Sequence, residues 1–197
     1  MKSKHWPVCA AVLGMVFTAP SHAAERGNVV LGAGVNAATL APRHAGPEDH
    51  GVGLELSAGF AFGSRWSVIA ITSGAQLDDA AGESFTLGHL DALAQRRFGA
   101  SERRLQPHLE AGLSRRSARF ASTDGVAGEA RRHAGWGPTV GAGISYAITP
   151  SLSLGATWRH TFGEFSGKAC PSDAEAIRTC ATSTRLGAGF SWYPGRR

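Results

Sequence analysis

Glu55, Asp91, Glu110, Arg116, Arg159 and Arg185, with His89, His108 and Gln95, fall on the polar side of segments in which polar and apolar residues alternate. Charges of both signs enclosed on one face should pair, because an isolated buried ion is very costly. Such a set can line an ion path or gate, or it can fill an interior with salt bridges. Pairing favours the filled interior. The sequence holds no HExxH, no GxSxG and no cluster of histidines at metal-ligand spacing, so the patterns of zinc and serine hydrolases are missing. No cofactor is expected, and an enzyme is not the expectation.

The elements that must position these residues repeat every second residue. The clearest are Val140 to Phe162, read as two strands joined at Ile148-Thr149-Pro150-Ser151. Trp136, Pro138, Val140, Ala142, Ile144, Tyr146 and Ile148 share one face of the first. Leu152, Leu154, Ala156, Trp158 and Phe162 share one face of the second, with His160 among them. Alternation this long exceeds the roughly 5–6 residues of an ordinary strand and suits the roughly 9–11 needed to cross a bilayer at a tilt. Pro150 fixes φ in the turn and donates no ladder hydrogen bond.

The same periodicity predicts six further strands: Asn28 to Ala37, Val52 to Phe62, Trp66 to Gln76, Phe85 to Arg97, Leu105 to Arg116 and Ser183 to Tyr193. Two of them are less distinct. Ile69 and Ile71 fall on the side of Ser67, and Phe85, Leu87 and Leu93 share the polar side of their segment. The predicted connections alternate long (Thr39 to His50, Leu77 to Ser84, Ser117 to Ala134, Gly163 to Ala181) and short (Gly63-Ser64, Phe98 to Arg104, the Pro150 turn). Leu31-Gly-Ala-Gly-Val35, Val140-Gly-Ala-Gly-Ile144 and Leu186-Gly-Ala-Gly-Phe190 repeat one phrase, in which Gly relieves crowding and lets a sheet bend.

Lys2 and Lys4, an apolar run from Trp6 to Phe17 and Ser21-His22-Ala23 have the parts of a secretory signal peptide. Residues 1–23 are therefore read as cleaved and 24–197 as one barrel domain. Removing Lys2 and Lys4 reduces the formal charge of +5 to +3, too little to indicate nucleic acid. Cys9 leaves with the signal, so Cys170 and Cys180 remain in an oxidising compartment, where a disulfide is the default.

Together these features predict an all-β fold: an eight-stranded antiparallel up-and-down transmembrane β-barrel with long extracellular loops and short periplasmic turns. The small residues of the polar face suit a narrow lumen, while the apolar face is almost free of charge at the strand centres, as hydrocarbon requires. Trp66, Trp136, Trp158, Trp192, Tyr146 and Phe62 lie towards strand ends, where aromatic girdles form.

The run GWGPTVGAGISYAITPSLSLGATWRHTF, followed by a loop and RLGAGFSWY, resembles the outer-membrane β-barrel superfamily of the OmpA/OmpX type from Gram-negative bacteria, over roughly Gly27 to Tyr193. The resemblance implies a location in the outer membrane with both termini periplasmic. It implies a structural or surface-interaction role with a plugged lumen, in envelope integrity, adhesion or host interaction. The alternative is a small-solute channel. A lipid A-modifying enzyme is a weaker alternative: deacylases resembling this barrel use a His, a Ser two residues later and an acid, whereas here His160 is followed by Thr161 and Phe162, with Glu164 nearby. No peptidoglycan-binding domain follows the barrel, so no tethering role is expected. The family usually ends on an aromatic residue that the barrel-assembly machinery reads, whereas this chain adds Pro194-Gly195-Arg196-Arg197 after Tyr193.

The expected partners are outer-membrane lipids and lipopolysaccharide, that machinery during insertion, and extracellular ligands of the loops. Arg115, Arg119, Arg131 and Arg132, with Arg116 and His133, bracket the third long loop, where guanidinium groups would face lipopolysaccharide phosphates.

Overall fold

The computed structural model of the chain describes residues 28–42, 49–62, 65–78, 84–99, 104–120, 132–163 and 181–194. They form eight strands: β1 (Asn28–Pro42), β2 (Asp49–Phe62), β3 (Trp66–Asp78), β4 (Ser84–Arg97), β5 (Leu105–Phe120), β6 (Arg132–Thr149), β7 (Leu152–Thr161) and β8 (Ala181–Trp192). Each pairs antiparallel with its neighbours in sequence, and β8 returns to β1, closing the barrel. Closure leaves no sheet edge, so every strand can satisfy its backbone within the wall, which a bilayer requires. The predicted fold class is the observed one.

The connections 63–65, 98–104 and 150–151 lie at one end of the barrel, here the turn end, with Asn28 and Trp192. Pro42, Asp49, Asp78, Ser84, Phe120, Arg132, Thr161 and Ala181, the strand ends that flank the longer connections, lie at the opposite, loop end. Backbone hydrogen bonds knit the turn end together: Arg97 N donates to Arg65 O, Phe98 N to Pro107 O and Tyr193 N to Ser151 O, each at 2.8 Å. Gly99 has a φ of +98° there, the left-handed region that only glycine enters readily.

The outward face carries the apolar alternation. Val52, Leu54, Leu113, Ile144, Leu186 and Phe190 are all more than a third exposed, and they form the band that hydrocarbon would cover. Phe62, Trp66, Tyr146 and Trp192 lie outward towards the turn end, and Trp136, Trp158 and Phe162 towards the loop end, giving two girdles. Where β1 meets β8 the glycine phrases meet too. A Cβ on Gly34 would stand 2.4 Å from Ala188 O, and one on Gly189 would stand 2.5 Å from Ala33 O. Both positions require glycine for the strands to approach this closely.

The strands run further at the loop end than their alternation predicts. β1 reaches Pro42 rather than Ala37, β3 reaches Asp78 and β5 reaches Phe120, while β2 and β6 begin at Asp49 and Arg132. In this extension the polarity inverts. His50, Gln76, Asp78, Thr86 and Arg119 point outwards and are exposed. Ala38, Leu40, Ala75, Leu77, Phe85, Leu87, Ala118 and Ala181 point inwards and form one buried cluster. Phe85 and Leu87 thus fall on the polar side of their segment because that side is the lumen, and the lumen is apolar at this end. Leu93 packs inside with Ile69 and Ile71.

Candidate functional site

The barrel interior holds every charge that the alternation assigns to the polar face, and the register sets their order along the axis. Nearest the turn end, Arg97 of β4 points inwards. Its Nη2 donates to the Tyr193 hydroxyl at 2.9 Å and its Nε to Gln95 Oε1 at 3.3 Å, and its guanidinium lies 5.2 Å from the centre of the Tyr193 ring. Gln95 accepts from Ser67 Oγ at 3.0 Å and donates to Glu110 Oε1 at 2.9 Å. His108 Nε2 stands 3.5 Å from that same carboxylate oxygen and 3.2 Å from Thr157 Oγ1.

Arg159 joins this layer to the next. Its Nε donates to Glu110 Oε2 at 2.7 Å, and its Nη1 meets both oxygens of Glu55, at 2.9 and 2.8 Å. One guanidinium therefore bridges carboxylates from β2 and β5. Charge-assisted bonds of this length are the strong class of hydrogen bond. Gly187, from the third glycine phrase, leaves room for the bridge, since a Cβ there would lie 3.4 Å from Glu55 Oε2.

Nearer the loop end the pairing is looser. Arg185 Nη1 stands 2.8 Å from Asp91 Oδ2 and donates to Ser73 Oγ at 3.0 Å. The contact with Asp91 is close, but its angle is not that of a hydrogen bond. Both Asp91 oxygens, and Nε and Nη2 of Arg185, have no hydrogen-bond partner among the described residues. Distance makes this an ion pair; geometry makes it a poorer one than Arg159 forms. The amide of Asn36 and the hydroxyl of Ser114 are buried here too, likewise without a hydrogen-bond partner among those residues. His89 Nε2 lies 2.9 Å from Ser183 Oγ.

Arg116, on β5, binds backbone carbonyls: Ala181 O at 2.7 Å, and Gly163 O. These are the feet of the longest connection. Gly163, with φ of +101°, adopts a left-handed conformation just after β7. Above this level the described interior is apolar, with Leu77 and Leu87 fully buried.

Of the six lumen charges expected from sequence, Glu55, Glu110 and Arg159 form one network, Asp91 and Arg185 form a second pair, and Arg116 serves the wall and the loop feet. Arg97, which ends the predicted strand Phe85 to Arg97, is a further interior charge that the expected set does not include. Its position at the end of an alternating segment, in phase with Gln95 and Leu93, was the available signal. The basic loop residues separate. Arg115 and Arg119 lie exposed on the outward face of β5, Arg115 in register with Leu90 and Trp136 at the edge of the apolar band. Arg132 lies in β6 but its side chain, like Arg131, falls outside the described residues, as do Cys170 and Cys180.

On the outward face His160 Nδ1 lies 2.9 Å from Thr184 Oγ1, and its ring meets those of Trp158 and Phe162 at 6.0 and 4.5 Å. Among the described residues no cluster of His, Cys, Asp and Glu is placed to hold a metal ion.

Several solved structures resemble this barrel, two of them as follows. Neisserial surface protein A (NspA) shares 22% identity with a TM-score of 0.67, covering 84% of this chain and 96% of its own. Ail, the attachment invasion locus protein of Yersinia pestis, solved in complex with the heparin analogue sucrose octasulfate, shares 14% identity with a TM-score of 0.56, covering 84% of this chain and 97% of its own. At such identities the likeness shows the fold alone. No curated protein sequence matches the chain. The family model described as "Outer membrane protein beta-barrel domain" matches residues 9–192, and by that match the chain belongs to this family of outer-membrane β-barrels.

Proposed function

We propose that the protein is a closed outer-membrane barrel whose function is structural or lies in surface interaction, carried by its loop end rather than by passage through its lumen. The observation that carries this reading is the succession of a charged network and an apolar cluster along the interior. The Arg97–Gln95–Glu110–Arg159–Glu55 network occupies the turn-end half, and an apolar cluster seals the loop end. In this reading residues 1–23 are a cleaved signal peptide, the termini and short turns are periplasmic, and the barrel-assembly machinery inserts the chain. Cys170 and Cys180 form a disulfide in the fourth extracellular loop. Thiol labelling of intact cells only after reduction supports that bridge, and labelling without reductant refutes it.

Outer-membrane lipid is the partner with the best support. Arg115 sits where the apolar band gives way to polar residues, and Arg119 lies four residues beyond it on the same face of β5. That is the level at which lipopolysaccharide phosphates meet the wall, and guanidinium groups bind phosphate in a bidentate manner. Replacing both with Gln should weaken lipopolysaccharide retention by the purified barrel without lowering its stability. Unchanged retention would contradict the lipid role.

The alternative reading, a small-solute channel, has one observation in its favour. A cavity of about 80 Å³ beside Glu55, Glu110 and Arg159 and an opening of about 250 Å³ at the turn end lie in succession along the axis. Neither is lined by the apolar cluster at the loop end, so a path would require that cluster to move.

A further inference from the structure

We infer that the middle layer of the lumen is a binding site for buried water: Asn36, Asp91, Ser114 and Arg185 hold it, and it completes the hydrogen bonding of the Asp91–Arg185 ion pair. This site lies between the turn-end network and the apolar residues of the loop end, and it does not depend on the lipid role of Arg115 and Arg119.

The four residues share one level of the barrel. Arg185 reaches across the lumen from β8 to Asp91 on β4, at 2.8 Å, and to Ser73 on β3, at 3.0 Å. Ser114 is the register partner of Asp91 on the β4–β5 ladder. Asn36 pairs with Gly187, two residues along β8 from Arg185 and on the same inward face. Each of the four is at most 3% exposed. Yet Asn36 Oδ1 and Nδ2, Asp91 Oδ1 and Oδ2, Ser114 Oγ, and Arg185 Nε and Nη2 have no hydrogen-bond partner among the described residues. Buried polar groups are nearly always hydrogen-bonded, so their concentration on one level points to a ligand.

Glycine leaves the room. Asn36 has Gly53 and Gly187 as register partners, and Ser114 has Gly137, so no side chain from those positions fills the lumen beside them. Towards the turn end, the cavity of about 80 Å³ is lined by Gly187 and Ile71. These are the register partners of Asn36 and Asp91, so the cavity abuts this layer. A buried water needs about 10–15 Å³ of such space. Towards the loop end, Ala38, Leu40, Ala75 and Leu87 are apolar and offer water nothing to bind. The layer is therefore where water would stop.

The chemistry selects the ligand, because the leftover atoms are of both kinds. The Asp91 carboxylate and the Asn36 carbonyl need donors, whereas the Arg185 guanidinium and the Asn36 amide nitrogen need acceptors. A metal cation donates no hydrogen bond and is repelled by Arg185. A halide accepts from Arg185 but cannot donate, and Asp91 repels it. Water does both, and a buried water typically makes about three hydrogen bonds. Set between Asp91 and Arg185, it gives each ion the charge-assisted bonds that their direct contact, poor in angle, does not.

The test uses crystals of the full mature chain, diffracting to a resolution that orders water, some grown with sodium bromide and others with rubidium chloride. At least one water should lie within hydrogen-bond distance of both Asp91 and Arg185, and Asn36 should bond to it or to a second water. Neither ion should give an anomalous peak at this level. A second measurement reads the site in solution, by NMR of the chain folded in detergent. The variant Ser73→Ala removes the hydroxyl bonded to Arg185, whose exchanging proton would otherwise mimic water. Its Arg185 Nε–H and Asn36 side-chain amide should show cross-peaks to water, and the methyl groups of Leu77 and Leu87 should show none. Direct two-bond contact between Asp91 and Arg185 with no water beside them would overturn the proposal. So would a bromide or rubidium peak in the layer, or water cross-peaks as strong at Leu77 and Leu87 as at Arg185.

Discussion

The turn-end and loop-end halves of the lumen are stabilised by opposite means. In the turn-end half, Arg159 binds Glu55 and Glu110 at 2.7–2.9 Å, and Gln95 and Arg97 extend the network to Tyr193. The loop-end half relies on packing: Leu40, Leu77, Phe85 and Leu87 fill the lumen. The layer between them is imperfect, with Asp91 and Arg185 close in distance but poor in angle. The outer surface changes in step. Where the wall faces hydrocarbon, polar groups must go inside and satisfy one another. Where the strands rise beyond the band, water takes the outside and apolar groups take the inside, as in a soluble barrel. The difference shows that the surrounding solvent sets the character of the interior, half by half.

Four variants would break or sharpen this contrast, each read as the unfolding midpoint of the barrel in lipid vesicles against urea. Arg159→Met should have the largest effect, because it takes the shared cation from the buried Glu110 and the partly buried Glu55; breaking a buried pair costs about 3–5 kcal/mol. A loss no larger than that of a surface substitution, about 0.5 kcal/mol or less, would mean that the turn-end half is wet and its charges unpaired. Leu87→Ala tests the other half by leaving a cavity in the apolar seal, at a cost of about 2–5 kcal/mol for such truncations. Arg97→Gln removes the bond to Tyr193 and shortens the network by one member, and should cost about 1–3 kcal/mol. The double replacement Asp91→Leu with Arg185→Met should have the smallest effect. Exchanging a buried ion pair for apolar groups is often neutral or stabilising, and this pair has few hydrogen bonds to lose. A loss as large as that of Arg159→Met would show that the middle layer is as tightly bonded as the turn-end network.

The sequence exposed the membrane-facing half of this architecture and hid the other. Over Val52 to Phe62 and Trp136 to Ile148 the alternation is strict, because one face meets hydrocarbon and the other a narrow lumen, and all eight strands were legible from it. The strand ends at the loop end were not. Around Leu40, Leu77 and Ala118 the apolar residues switch to the inner face, so a rule that assigns apolar residues to the outside meets a reversed signal and reads a loop. The lumen charges were legible as a set, since each falls on the polar side of its strand. Their partners were not, because the strand-to-strand register, which decides that Arg159 meets Glu55 across the lumen and not Asp91, has no local signature. Arg97 was missed for a similar reason: at a strand end a single basic residue looks the same whether it turns inwards or towards water.

The central claim is that the lumen is closed, and conductance tests it most directly. Purified protein, folded and inserted into planar lipid bilayers, should show no discrete current steps at moderate voltage, because the ion network and the apolar seal lie in series along the axis. Stable, reproducible single-channel steps from the unmodified protein would contradict the account and establish an open path through the barrel.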